Sequence, residues 1–187
     1  MIVLVSSSPR RRRILREMGF RFRVTDPLFK DELPMEGESV EDYALRMARL
    51  KVESVELFGG EVGVGMDTVV FVDGKIMGKP NDPAQAKDML RMLSNRIHTV
   101  FTGVWLKKGG KGVGGVEKSC VEFVDVTDEL MEWYISTGEW KDKAGGYGIQ
   151  GYGRKLVRRW EGDYWNIVGF PKGLFISLLK ELGYESF

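Results

Sequence analysis

Short apolar segments alternate with amphipathic segments along the 187 residues, and this order constrains the fold more than any other feature of the sequence. The β-branched apolar runs at 2–6 and 62–72 predict strands, whereas the residues that follow Ser8 and Ser39 have helical spacing after a capping residue. This mixed succession predicts an α/β fold with a mixed sheet flanked by helices. Without a long linker, we expect a single domain over residues 1–187.

Glycine and capping residues predict where individual elements begin and end. A hairpin turn is expected at Asp73-Gly74, directly after the long apolar strand. The other predicted elements are a helix from Ser39 to Gly59-Gly60, paired strands at 97–107 and 116–126 joined by a glycine loop at 109–115, a glycine-rich loop at 138–153, and two short strands near 155–160 and 164–169.

Charge and composition exclude several classes of protein. A net charge of +1 argues against a general nucleic-acid-binding protein, whose domain would be clearly basic. No apolar run is long enough to cross a bilayer, so we expect a cytoplasmic protein without a membrane segment. The single Cys120 and single His98 cannot form a zinc site. A bound metal would therefore use carboxylates, which suit Mg²⁺ or Mn²⁺.

Four consecutive arginines, residues 10–13, follow Ser8-Pro9 in the first turns of a predicted helix. The positive end of the helix dipole and its free N–H groups disfavour cations there unless an anion lies between them. Phosphate is the usual anion at such a helix terminus. We therefore predict that Ser8, Arg10 and Arg11 bind phosphate, and that Arg12 and Arg13 form a solvated continuation of the helix.

Asp67 interrupts an apolar strand, where a carboxylate is costly unless it is paired or binds a metal. Alternation places it on the same face as Gly63 and Gly65, which are expected to leave open space beside it. A simple cap at the end of the strand is an equally good interpretation of this residue alone.

Weaker candidates are Lys51 in the Ser39 helix, Lys79 in the segment Gly78-Lys79-Pro80, and the acidic pair Asp31-Glu32. Each by itself is more often a solvated side chain than a ligand. Gln150 lies in a glycine-rich segment whose backbone can approach a ligand closely. Its carboxamide offers a donor and an acceptor, which matches the edge of uracil or thymine. A flexible connector is the alternative.

Together these segments resemble the Maf family of nucleotide pyrophosphatases over nearly the whole chain. The landmarks are Ser6-x-Ser8-Pro9-Arg10-Arg11, Asp31-Glu32, the helix with Lys51, Met66-Asp67-Thr68-Val69-Val70, Gly78-Lys79-Pro80, His98-Thr99-Val100-x-Thr102-Gly103-Val104, and residues 142–151. The resemblance implies a Maf/inosine-triphosphatase-like α/β fold of two lobes, with the active site in the cleft between them. It also implies a nucleoside triphosphate diphosphatase that cleaves between the α- and β-phosphates, and a homodimer.

Residues 147–151 and 162–164 resemble the branch of the family that acts on dTTP and UTP. Carried over by position, Asp67 is the proton acceptor, and Arg10, Thr68 and Gln150 set base specificity. We further hypothesise that Glu32 and Asp67 hold Mg²⁺ or Mn²⁺. In that hypothesis Lys51 and Lys79, with Arg10 and Arg11, neutralise the charge on the leaving pyrophosphate.

Two alternatives remain open from the sequence. The chain could prefer 7-methyl-GTP or a modified pyrimidine nucleotide, or it could be a non-catalytic nucleotide-binding regulator of septum formation. Asn95 departs from the family pattern, because members commonly have glycine in this turn before His98.

Overall fold

The computed structural model describes residues 1–30 and 32–184, so the candidate Asp31 lies outside the described residues. The strands are β1 (Ile2–Val5), β2 (Phe22–Thr25), β3 (Val62–Val72), β4 (Lys75–Met77), β5 (Ile97–Lys108), β6 (Lys111–Phe123) and β7 (Val157–Gly162). The helices are α1 (Pro9–Glu17), α2 (Val40–Glu53), α3 (Pro83–Leu93), α4 (Asp128–Ser136), α5 (Tyr164–Val168) and α6 (Lys172–Glu181).

These strands form one mixed sheet in the order β2-β1-β3-β5-β6-β7, with β4 paired to β3. Strand β1 is parallel to both β2 and β3, whereas β4 is antiparallel to β3 and β7 is antiparallel to β6. The predicted α/β fold with a mixed sheet and flanking helices is therefore confirmed. The two lobes and their cleft, implied by the family resemblance, stay a prediction.

Contacts along the chain divide it into two compact units, each assembled from separate segments. The first unit contains 1–67, 102–117 and the chain from 169 onward, and the second contains 68–101 and 118–168. The single domain expected over 1–187 stays a prediction. No helix within 1–30 and 32–184 has the length and apolar character needed to cross a membrane.

In the first unit, helix α2 lies very close to the sheet because three strand positions have no side chain. A carbon added at Gly65 would lie 2.2 Å from the Ala48 carbonyl oxygen, and one added at Gly103 would lie 2.3 Å from the Ala44 carbonyl oxygen. At Gly63 the nearest atom, 2.7 Å away, belongs to Val52. The expectation of open space beside Gly63 and Gly65 is therefore wrong, because side chains fill it at Gly63 and the backbone of α2 fills it at Gly65.

The paired strands β5 and β6 meet at a turn of only two glycines, 109 and 110, so the longer glycine loop predicted at 109–115 is wrong. Gly112 and Gly114 belong to β6, where an added carbon would lie 2.4 and 2.5 Å from the Trp105 ring. These glycines make room for an indole on the neighbouring strand.

Two further predicted boundaries differ from the structure. Helix α2 ends at Glu53 with Ser54 as its cap, well before Gly59-Gly60. The segment predicted as a strand near 164–169 is instead the short helix α5, whose first turn is held by Asp163, since its carboxylate accepts from the Trp165 N–H at 2.8 Å. Local β-propensity does not prevent a helix when a side chain caps its first turn.

The backbone conformation at residue 95 explains why asparagine can stand there in place of glycine. Its φ of +54° lies in the left-handed region, where glycine is favoured and asparagine is among the best-tolerated alternatives. The departure from glycine at this turn therefore preserves the backbone that leads into β5.

We predict that Gly65→Ala destabilises the protein by about 1–3 kcal/mol, because the new carbon collides with backbone rather than with a flexible side chain. Helix α2 must move outward, so the 2.6 Å contact between Lys51 and Asp67 should lengthen. Urea unfolding measures the change. Gly173→Ala in α6, where nothing lies within 4 Å, is the matched control and should not destabilise. Equal stability of both variants would contradict close helix packing.

Candidate active site

The predicted phosphate-binding segment lies at the carboxyl end of β1, where the chain turns into α1. Ser8 caps this helix, since its Oγ accepts from the Arg11 N–H at 3.5 Å and its own N–H donates to Ser6 Oγ at 3.1 Å. Strands β1 and β3 are parallel with Val5 opposite Gly65, so the helix N-terminus and Asp67 follow the same edge of the sheet. Such an edge, with free helix N–H groups, is a common anion-binding position.

Arg11 is a fixed element of this edge. Its Nε donates to the Gly169 carbonyl at 2.9 Å, and its Nη1 donates to the Met66 carbonyl at 3.0 Å. These bonds use two of the five N–H groups of a guanidinium. The half-buried side chain therefore holds its positive charge next to the peptide that leads into Asp67.

Asp67 is paired with Lys51 of α2. Lys51 Nζ lies 2.6 Å from Asp67 Oδ1 and 3.2 Å from the Met66 carbonyl oxygen, which also accepts from Arg11. Both side chains are only 12% exposed. Two cations thus converge on one buried carboxylate and one carbonyl, so this cluster carries excess positive charge suited to a bound anion.

The other arginines of the segment differ from one another. Arg10 is half-buried, and Arg13 is exposed and pairs with Glu17 in the next turn, as expected of a solvated face. Arg12 is less solvated than predicted, because its Nη2 donates to the Ser6 carbonyl at 3.4 Å and its Nε is buried without a hydrogen-bond partner.

Glu32 pairs with a different cation from the one that pairs with Asp67. Its carboxylate is 2.6 Å from Arg46 Nη1, and the same guanidinium holds Glu38 and lowers the pKa of that carboxyl. Among the described residues no group of three His, Cys, Asp or Glu side chains is arranged to hold a metal ion. Since Glu32 and Asp67 each have a cationic partner, they do not form a preformed cation site.

The second unit contains three other predicted ligands, Thr68, Lys79 and Gln150. Thr68 is half-buried, whereas Lys79 and Gln150 are exposed. The turn at Asp73-Gly74 returns the chain along β4, and the segment with Lys79 follows directly. The Gly145 N–H donates to the Gly78 carbonyl at 3.0 Å. This bond joins the segment with Lys79 to the start of the loop that contains Gln150.

The loop with Gln150 is ordered by packing, so the interpretation as a flexible connector does not fit. Tyr147 at its start is buried, and its hydroxyl lies 2.7 Å from His98 Nε2. Both rings pack edge-to-face with Phe123. His98 therefore has a structural role, as an anchor for this loop.

Comparison with known proteins shows a likeness over nearly the whole chain. A sequence model of the family described as "Maf-like protein" matches residues 1–182. A protein of Pyrococcus horikoshii named "dTTP/UTP pyrophosphatase" is 46% identical, over 99% of this chain and 98% of its own. Proteins with the same name from Pyrococcus abyssi and Symbiobacterium thermophilum are 45% and 41% identical, over 97% and 96% of their lengths and 99% and 100% of this chain.

Among solved structures, a HAM1 protein from Coxiella burnetii superposes with a TM-score of 0.51 and covers 99% of this chain and 98% of its own. Only 14% of the aligned residues are identical, so this likeness concerns the fold alone. It agrees with the α/β architecture predicted from the sequence.

We predict that His98 makes the protein less stable as the pH falls from about 6.5 toward 5. Burial lowers the pKa of His98 to about 3, whereas in the unfolded chain the ring has an ordinary pKa near 6.5. Below that value the unfolded state binds the proton and the folded state does not, so stability decreases by up to about 1.4 kcal/mol per pH unit.

Urea unfolding of the wild type and of His98→Gln at pH 7, 6 and 5 measures this dependence. His98 is the only histidine of the chain, and the pKa of Glu61 is lowered to about 2 by Arg23, so that carboxyl matters only at lower pH. The variant should lose most of the slope between pH 6.5 and 5. An unchanged slope would show that His98 can be protonated in the folded state.

Proposed function

We propose that this chain, which belongs to the Maf family, hydrolyses dTTP and UTP to the nucleoside monophosphate and pyrophosphate. The observation that carries the proposal is the buried pair of Lys51 and Asp67 beside Arg11, at the edge of the sheet where α1 begins. An anion site next to a carboxylate is what hydrolysis of a phosphoanhydride requires. The names of the relatives supply the substrate class.

The phosphates are bound by the first unit through Ser8, Arg10, Arg11 and Lys51. Ser8 and the N-terminus of α1 offer a hydroxyl and main-chain N–H groups, and the cations supply opposite charge. Lys79 adds a further positive charge for the leaving pyrophosphate. The full set neutralises the charge that grows on the departing group.

Asp67 is the proton acceptor. A water oxygen attacks the α-phosphorus while the bond from that phosphorus to the bridging oxygen breaks, and the electron pair leaves on pyrophosphate. The proton lost by the water passes to the Asp67 carboxylate. Lys51 holds that carboxylate in place, with its Nζ 2.6 Å from Asp67 Oδ1, and it also donates to the Met66 carbonyl.

Gln150 recognises the base through hydrogen bonds, and Thr68 and Arg10 contribute to the choice of base. An exposed carboxamide can donate to a carbonyl and accept from the ring N–H, the pattern shown by uracil and thymine. The ordered loop supports this role, because a side chain on a fixed backbone can discriminate between bases.

A requirement for Mg²⁺ or Mn²⁺ is part of the proposal, with Glu32 and Asp67 as the protein oxygen ligands. When bound, the cation would neutralise phosphate oxygens. The salt bridges of Glu32 with Arg46 and of Asp67 with Lys51 would have to open for these carboxylates to reach it. A homodimer and a cytoplasmic location, carried over from the family resemblance and the sequence, complete the proposal.

We expect Asp67→Asn to lower kcat by about a hundred- to ten-thousand-fold, the size associated with loss of a general base. Asparagine has nearly the same shape and can still accept a bond from Lys51, but it leaves the Lys51 charge without a counter-charge, so the variant should be less stable and is assayed below its unfolding temperature. Pyrophosphate release measures turnover, and thermal unfolding checks the fold. Asp88→Asn, which removes an exposed ion pair with Arg91, is the matched control and should keep full activity. Near-normal turnover of Asp67→Asn would remove this carboxylate from the mechanism.

A panel of nucleoside triphosphates, assayed with Mg²⁺, with Mn²⁺ and with a chelator, tests the function as a whole. We expect release of pyrophosphate from dTTP and UTP, loss of release with the chelator, and recovery when the metal is restored. Preference for 7-methyl-GTP or another purine would refute the role of Gln150. Binding of triphosphates without turnover under any of these conditions would instead favour the nucleotide-binding regulator.

A further inference from the structure

The backbone immediately after Gln150 is held by one carboxylate that the proposed mechanism does not use. Glu139 Oε2 accepts from the Tyr152 N–H at 2.7 Å, and Glu139 Oε1 accepts from the Gly153 N–H at 2.8 Å. Hydrogen bonds from main-chain N–H groups to a charged acceptor are among the stronger ones in proteins. Glu139 therefore fixes the chain immediately after Gln150.

Tyr134 of helix α4 extends this attachment to the chain before Gln150. Its fully buried hydroxyl lies 3.3 Å from Glu139 Oε1 and accepts from the Gly148 N–H at 3.2 Å. The segment 148–153 is thus bonded to Tyr134 at its start and to Glu139 at its end, and Gln150 lies between these two attachments.

Glu139 is itself positioned by the end of α4. Thr137 caps that helix, its hydroxyl donates to the Tyr134 carbonyl at 2.6 Å, and it accepts from the Glu139 N–H at 3.2 Å. The carboxylate is thereby attached to a regular helix and can hold the loop at a defined distance from it.

The glycines of the loop are explained by the same contact. A carbon added at Gly151 would lie 2.1 Å from Glu139 Oε2, and one added at Gly153 would lie 2.2 Å from the Gly148 carbonyl oxygen. Side chains at these positions would push the carboxylate away or open the loop. The glycine-rich sequence therefore serves close packing around Glu139 and gives a compact loop.

We propose that Glu139 is a positioning residue for base selection: by holding the backbone around Gln150, it places the carboxamide where it can distinguish uracil and thymine from other bases. This inference rests on the proposed function of Gln150. Glu139 does not touch the base in this proposal. Its effect passes through Gln150, because discrimination by a hydrogen-bonding side chain requires that side chain to be held within a fraction of an ångström.

The test compares kcat and KM of the full-length protein for UTP and for the other common nucleoside triphosphates. Glu139→Ala should lower kcat/KM for UTP by about 10- to 100-fold, mainly through KM, as expected for two lost charge-assisted bonds. The ratio of kcat/KM for UTP to that for the other nucleotides should fall toward one. Glu139→Gln keeps one acceptor for the two N–H groups, so its ratio should lie between those of the wild type and Glu139→Ala.

Three further measurements separate positioning from a general loss of structure. Combined with Gln150→Ala, the change Glu139→Ala should reduce selectivity little further, because both act through one side chain. Hydrogen exchange of residues 144–153 should become faster in Glu139→Ala. Glu132→Ala, which removes an ion pair of α4 with Lys87 and leaves the loop intact, is the matched control and should keep the wild-type ratio.

An unchanged selectivity ratio in Glu139→Ala, or equal losses for every nucleotide, would overturn the proposal. If Glu139→Ala fails to fold, the ratio of Glu139→Gln decides the question in the same way. A wild-type protein without preference for UTP and dTTP would refute the proposed function itself. That result is read from the wild type alone, so the two failures are distinguishable.

Discussion

The close contact of helix α2 with the sheet is the constraint on which the first unit depends. The helix can approach because Gly63, Gly65 and Gly103 present no side chains, and two of these positions face its carbonyl oxygens rather than its side chains. This approach brings Lys51 to Asp67, two residues beyond Gly65 on the same strand. The glycines of β3 thus help to position Lys51 in the candidate active site, because they allow helix α2 to lie close to the sheet.

Pairing of buried charge is the second organising principle of this unit. Lys51 neutralises Asp67, Arg23 holds Glu61 and lowers the pKa of that carboxyl to about 2, and Arg46 does the same in direction for Glu38. Removing one partner of a buried pair leaves an uncompensated charge, which costs more than the pair contributes. The positions of the candidate catalytic charges are therefore determined by their partners as much as by the strands that carry them.

Helix starts could be predicted because their determinants are local: Ser8 and Ser39 each accept a bond from an N–H three residues later. Asp67 could be predicted as unusual because a carboxylate conflicts with an apolar strand. Its partner could not, since Lys51 reaches it only through tertiary packing. Glycines differ most from expectation, because a missing side chain predicts open space or a loop, whereas Gly65 and Gly112 pack closely against Ala48 and Trp105. Glu139 gave no signal at all, since acidic residues near loops usually face water.

The packing of the loop around Gln150 also limits how the protein can change in evolution. Tyr147 and Ile149 are buried, and an added side-chain carbon would collide with the Glu139 carboxylate at Gly151 and with the Gly148 carbonyl at Gly153. Residues 150 and 152 are the positions between 147 and 153 where a side chain is exposed and can be exchanged without rebuilding the backbone. Substitution at residue 150 alone would therefore leave the packing of the loop unchanged, whereas most changes around it would disturb that packing.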